Sequence, residues 1–194
     1  MTSAAPSPIP SHPSEFPCID LINSAFTHHL GRGPGFDRLP QPEWRAWFLE
    51  RYGLEVGKGN PAPIKRLTAL RDQLRTMLER WATTGSVTAR DAEILNRWVG
   101  AMALRQRVTK VSGRLGLTVE PVTRDWGWAM GRIAASAVEL VASNPPERLK
   151  VCVNPDCSWM FYDHTLNRSK RFCSTDLCGN VMRVRQFRRR RTAV

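Results

Sequence analysis

The chain has 194 residues, 42% of them hydrophobic, and a formal net charge of +12. That length carries one full domain plus a small appended module, and the apolar content excludes wholesale disorder. The charge is uneven: residues 148–191 hold eleven Lys and Arg against three acidic residues, the rest eighteen against fourteen, which points the C-terminal part at an anionic partner.

Residues 1–15, rich in Pro, Ser and Ala, read as a flexible tail. They lack a positive stretch followed by an apolar one, so no signal peptide is expected. The best membrane candidate, Trp126 to Ala142, is interrupted by Arg132 and Glu139. A cytoplasmic location, where thiols stay reduced, is the expectation. Phe16 to Thr27 is a compact apolar segment that embeds Asp20 and Asn23, and Gly31 to Pro42 is a Gly/Pro loop. Pro42 to Tyr52 predicts a helix with Pro and Glu in its first turn. After Pro63, Ile64, Leu67, Leu70, Leu74, Met77, Leu78 and Trp81 recur at three- and four-residue steps and predict a second helix, stopped by Gly85. A third starts near Thr88, with Asp91 and Glu93 at its positive end, and is expected to bury Ile94, Leu95, Trp98 and Met102. Val108 to Val122, with Ser112-Gly113 and Gly116, predicts short strands or a hairpin. Asp125 to Ser143 returns to helix and ends at Asn144-Pro145-Pro146. The tryptophans among these positions are expected core. The fold class that follows is mainly α with small β elements (α+β): a helical domain over 16–146 and a C-terminal module over 147–194.

Cys152, Cys157, Cys173 and Cys178 form two C-x4-C pairs separated by fifteen residues. Zinc takes thiolates in a tetrahedron, and four cysteines make a closed structural site. Two disulfides would need an oxidising compartment. Four unrelated core cysteines would not cluster so symmetrically, and a catalytic zinc keeps a position open that four thiolates close. One structural Zn²⁺ is the expectation. Asn154-Pro155-Asp156 and Thr175-Asp176 supply turns within the two loops. Ser158 to Asp163 predicts a strand, with Trp159 and Phe161 over the metal and Phe172 on its other side. Cys18, outside the pattern, reads as a buried small hydrophobe.

Beyond Cys178 an arginine-rich run predicts a helix. On a helical wheel Leu177, Val181, Val184 and Phe187 face the zinc knuckle, while Arg183, Arg185, Gln186, Arg189 and Arg190 occupy the opposite arc. Arg168, Lys170 and Arg171 add charge from the preceding loop. A solvated basic tail is the competing reading. Guanidinium groups grip phosphate bidentately, and five such contacts would lower log K with log salt at a slope of roughly −4 to −5.

Cys152-Val153-Asn154-Pro155-Asp156-Cys157-Ser158-Trp159-Met160-Phe161, then Asn167 to Ser174 and Cys178-Gly179-Asn180, resemble the CGNR-type zinc finger. Proteins of that kind usually carry an N-terminal ABATE domain, described as a putative stress-induced transcription regulator. The resemblance makes the four cysteines zinc ligands and places Gly179 and Asn180 in the signature. Val181 stands where the family has arginine, leaving Arg183 as an imperfect substitute. Ile19-Asp20-Leu21-Ile22-Asn23-Ser24 is similar to the segment that opens the N-terminal domain. Asp20 and Asn23 are candidates to line a small-molecule pocket; capping a helix or satisfying a turn is the competing role.

The leading expectation is a bacterial DNA-binding transcription regulator whose N-terminal domain senses a small-molecule effector, dimerises or contacts another protein. RNA binding, with Trp159 and Tyr162 as stacking candidates, and a zinc-dependent protein adaptor are the alternatives. Catalysis is not expected. Adjacent His28 and His29 diverge by about 100° on a helix, and Gly31, Gly33 and Gly35 lack the Lys-Ser/Thr of a phosphate loop.

Overall fold

The computed structural model describes residues 10–27 and 35–192. Most of the tail, the two adjacent histidines, Gly31 and Gly33 lie outside the described residues. In chain order the elements are α1 (Pro17–Ile22), β1 (Ala25–Phe26), β2 (Phe36–Asp37), α2 (Pro42–Arg51), α3 (Ile64–Thr84), α4 (Ala89–Val99), β3 (Leu104–Val111), β4 (Arg114–Pro121), α5 (Trp126–Ser143), β5 (Leu149–Val151), β6 (Met160–Tyr162) and α6 (Asn180–Thr192). The strands form three separate antiparallel pairs, β1 with β2, β3 with β4 and β5 with β6.

Helix α3 is the centre. Its stripe Leu67, Leu70, Leu74, Met77, Leu78 and Trp81 is buried against α1, α5 and β5. Gly85 ends it in the left-handed region, φ +69°, where glycine alone carries no steric cost. Helix α4 begins with a reciprocal capping box between Thr88 and Asp91, which satisfies two otherwise orphaned donors. Its Ile94, Leu95 and Trp98, with the following Met102, are half-buried rather than buried. They cover one flank of α5, and among the described residues they stay half-buried. At the crossing of α4 and α5, a Cβ on Gly131 would lie 3.1 Å from the Trp98 carbonyl and 2.2 Å from the Met102 side chain. Only glycine permits this approach.

Of the predicted core tryptophans, Trp44, Trp81 and Trp128 are buried and Trp47, Trp98 and Trp126 half-buried. Cys18 is fully buried, and burial pushes its thiol up to about 12. Part of the expected tail is held in place. Ser14 donates its amide to Asp20 Oδ1 at 2.9 Å, and its carbonyl accepts from Arg51 Nη2 at 3.0 Å. Short polar residues need no core when an adjacent helix supplies partners.

The β3–β4 hairpin starts four residues before the expected position. Ser112 and Gly113, both at positive φ, make its two-residue turn, the geometry that matches strand twist.

Candidate metal centre and basic helix

The thiols of Cys152, Cys157, Cys173 and Cys178 lie within 4.8 Å of one another. A tetrahedron with Zn–S bonds of about 2.3 Å has S···S edges of about 3.8 Å. The Cys157–Cys173 and Cys173–Cys178 sulfurs are 3.8 and 3.6 Å apart, so the donor set fits one ion. These separations are nearly twice the roughly 2.05 Å of a disulfide, which disposes of that alternative. The electrostatics agree. Thiols of Cys157 and Cys173 donate to the Cys152 sulfur and hold its pKa well below the ordinary thiol range. The resulting thiolate pushes Cys157 up to about 12 and Cys173 higher still. Four sulfurs this close cannot all ionise without a cation among them, and a dication removes the conflict.

Each ligand is positioned by backbone. The Cys152 amide donates to Trp159 O at 2.9 Å and the Cys157 amide to Asn154 O at 2.9 Å. Ser174 Oγ accepts from Leu177 N at 3.3 Å and opens one turn of π-helix, Thr175–Gly179, closed by Gly179 N to Ser174 O at 3.0 Å. That turn carries Cys178 inward. Trp159, Phe161 and Phe172 pack about the sulfurs, as the sequence predicts.

Asn154 goes beyond its predicted turn role. Fully buried, it points Nδ2 at Cys178 Sγ, 3.5 Å away, which orients a ligand and tempers its charge. Asp163 and Lys150 carry no metal-ligand signature, so sequence reasoning passes over them. Asp163 Oδ2 accepts from Lys150 Nζ at 2.7 Å and from the Lys170 amide at 2.9 Å, and Oδ1 from the Thr165 amide at 2.9 Å. Burial raises its carboxyl, but these donors outweigh burial and hold it below the usual carboxylate range. The loop from 163 to 170 is thereby fixed.

The arginine helix differs from the wheel. Leu177, Val184 and Phe187 are exposed, while Val181, Met182 and Arg185 are half-buried. The π turn inserts one extra residue before α6, and one residue rotates a helical face by about 100°. Arg185 consequently leaves the proposed contact set: it ion-pairs with Asp156 and reaches Asn154 Oδ1 at 3.4 Å. Arg168 pairs with Glu147, and Lys170, half-buried, sits 5.1 Å from the Phe161 ring centroid. Arg171, Arg183, Gln186, Arg189 and Arg190 are exposed. Arg183 Nε donates to Gly179 O at 3.4 Å. Arg188 and Arg191, absent from the predicted arc, are exposed too. From Gln186 to Arg191 every side chain is exposed, so this stretch extends past the module and all its sides face solvent. Helix α6 carries six arginines and no acidic residue.

The module is docked on the helical core through Asn23. Its Nδ2 donates to Met160 O at 2.8 Å and its Oδ1 accepts from Met160 N at 2.9 Å, as a neighbouring strand would. Leu149 and Met160 enter the main core. Arg75 Nη1 donates to Ser158 O at 3.1 Å, and Thr27 Oγ1 to Asp156 O at 2.8 Å. Trp159 meets Phe26 edge-on at 5.7 Å. Tyr162 packs on Phe16 and donates to Asn144 Oδ1 at 2.8 Å.

The two candidate pocket residues thus have structural work. Asp20 accepts from Tyr52 OH at 2.7 Å, and Asn23 borders a cavity of about 150 Å³ that Asp20 does not reach. Two larger hollows lie elsewhere. One of about 460 Å³ is lined by α3 and α4 around Asp72, Arg80 and Arg90. An apolar one of about 260 Å³ lies between α4 and α5 around Leu95 and Val138. No described helix is long and apolar enough to cross a membrane.

The geometry defines a helical protein with a closed four-thiolate zinc module and a projecting basic helix. Comparison with family models gives that class its place. Residues 148–191 match the CGNR zinc finger, and residues 15–144 match ABATE, described as a putative stress-induced transcription regulator. The second match covers well over half of the chain, which therefore belongs to the ABATE family. Comparison with curated proteins returns no match.

Proposed function

We propose that this protein is a DNA-binding transcription regulator, in which one structural zinc holds an arginine helix that grips the duplex backbone. The observation that carries the reading is the run Gln186 to Arg191, exposed on every side and free of acidic residues. Arg183, Arg188, Arg189, Arg190 and Arg191 are the principal contacts, with exposed Arg171 added from the preceding loop; Arg185 and Arg168 brace the module. Five phosphate contacts give a salt slope of roughly −4 to −5, and such contacts orient the protein without choosing a sequence. The helical core supplies the second input, an effector or a partner. The reading assigns binding rather than catalysis, in a reducing compartment such as a bacterial cytoplasm.

Duplex DNA is favoured over RNA by one observation. Trp159 and Tyr162, the stacking candidates, are engaged with Phe26, Phe16 and Asn144 and offer no open platform for unstacked bases. The test is fluorescence anisotropy with zinc-loaded protein, duplex DNA and competing RNA. Arg189→Ala with Arg190→Ala is expected to weaken duplex binding about tenfold or more, since two phosphate contacts vanish, at unchanged zinc content. Undiminished affinity of the double variant, or preferential displacement by RNA, contradicts the reading.

A further inference from the structure

The four cysteines of the metal centre are not equally sheltered. Cys152 and Cys178 are 6% and 1% exposed, whereas Cys157 and Cys173 are half-buried. Each C-x4-C pair thus contributes one covered ligand and one that solvent reaches. Cys178 is in addition held from two sides, by Asn154 Nδ2 at 3.5 Å and by the π turn that carries it.

Cys173 has a second distinction. It lines the cavity of about 150 Å³ that Asn23 borders, together with Tyr162, His164 and Lys170. His164 and Glu15, both exposed, line it too, so the cavity communicates with solvent. One water takes about 30 Å³ in the liquid, and the space therefore admits a solute of a few heavy atoms. The Cys173 sulfur lies 3.8 Å from that of Cys157.

A metal-bound cysteine is a thiolate, the nucleophilic form of the side chain. Susceptibility to oxidation follows thiolate character and exposure together. Cys157 and Cys173 combine the two. Cys18, outside the metal centre, has neither, since it is fully buried and burial pushes its thiol up to about 12.

We propose that Cys173 and Cys157 form an oxidative modification site, at which hydrogen peroxide converts the pair to a disulfide and the zinc is released. The cavity admits the peroxide to Cys173. The Cys173 thiolate attacks one peroxide oxygen, the O–O bond breaks and hydroxide leaves, giving a sulfenic acid. The Cys157 thiolate then attacks that sulfur, the S–O bond breaks and a second hydroxide leaves. Two thiolates have given up two electrons, and the peroxide has become two hydroxides that take protons from solvent. The sulfurs close from 3.8 Å to the roughly 2.05 Å of a disulfide. Cys178 lies as near, at 3.6 Å, but it is buried and its sulfur is held by Asn154, so Cys157 resolves the sulfenic acid. The two thiolates left over cannot close a structural zinc site. Because the metal orders the module, its loss frees the turn Thr175–Gly179 that launches α6. Any resulting loss of duplex binding rests on the nucleic-acid reading; the modification itself does not.

Zinc-loaded protein titrated with hydrogen peroxide at neutral pH and quenched in acid tests this. Released zinc is read with a chromogenic chelator. Free thiols are blocked with N-ethylmaleimide in denaturant, and the peptides are mapped by mass spectrometry. The expected result is one zinc released per disulfide, the first disulfide joining Cys157 to Cys173 while Cys152, Cys178 and Cys18 carry maleimide. Dithiothreitol with added zinc is expected to restore the parent mass and metal content. Cys18→Ser, outside the site, is expected to release zinc at the parent's rate. A first disulfide between any other pair overturns the inference, as does zinc release accompanied only by sulfinic or sulfonic acid. So does a centre that keeps its zinc and all its thiols as peroxide is raised. None of these readouts involves nucleic acid, so failure of the nucleic-acid reading would leave them unchanged.

Discussion

Around α3 and α5 twenty-three buried residues form one apolar core, whereas among the described residues the apolar cluster around the four sulfurs buries Cys152, Phe161 and Cys178. The first region folds by removing side chains from water. The second has too little to remove, and its order comes from the metal and from backbone hydrogen bonds tied to Asn154, Ser174 and Asp163. The two regions are nevertheless joined: Met160 belongs to the module's strand pair, its side chain to the main core and its backbone to Asn23. Strand β6 transmits the position of the core to the sulfurs.

The contrast breaks or sharpens most strongly on zinc removal. Structural zinc contributes on the order of 10–16 kcal/mol in small modules. Chelation is therefore expected to abolish exchange protection of the Val153, Cys157 and Gly179 amides while Leu74 and Ile133 stay protected. Persisting protection in the module without metal would erase the distinction. The reciprocal cut is Leu70→Ala in α3. Leu70 is fully buried, and the truncation is expected to cost about 2–5 kcal/mol in urea unfolding with zinc stoichiometry unchanged. Between them lies the joint. Asn23→Ala leaves the amide and carbonyl of Met160 buried without partners and is expected to cost about 2–4 kcal/mol; zinc binding should survive. An Asn23→Ala protein as stable as its parent would show that the docking is not energetic.

The smallest expected effect is pH dependence in the core. Burial raises Asp20 to about 6 against hydrogen bonds from Tyr52 and Ser14, above its ordinary value of about 3.9. The folded state holds this proton more tightly than the unfolded chain. Stability from this group is thus complete below about pH 4 and is lost as pH rises through 6, by about 1–3 kcal/mol. Asp163 acts oppositely, its stabilisation fading only as pH falls below the ordinary carboxylate range. Asp20→Asn is expected to flatten the profile between pH 4 and 6, measured by thermal unfolding. An unchanged profile removes Asp20 as its source.

Much of this was legible in the residues. Apolar periodicity located α3, the helix starts expected near Thr88 and Asp125 matched α4 and α5, and the two C-x4-C pairs gave the metal site, because each signal is local. What escaped notice depended on non-local pairing or on one extra residue. Asn23 stands out in the sequence only as a pocket or capping candidate, and its docking role needs β6 beside it, 137 positions away. The π turn at Thr175–Gly179 rotates α6, and with it the assignment of Leu177, Val184, Phe187 and Arg185, yet nothing in its composition announces an i→i+5 turn. Strand β5 is only three residues long, too short for period-2 alternation to register.

The central claim is that zinc holds α6 as a phosphate-gripping element, and salt titration of duplex binding by zinc-loaded and zinc-stripped protein tests it most directly. The zinc-loaded protein is expected to show a log–log slope of roughly −4 to −5, with affinity falling sharply once the metal is removed. A slope near zero, or equal affinity and slope with and without zinc, would contradict the claim.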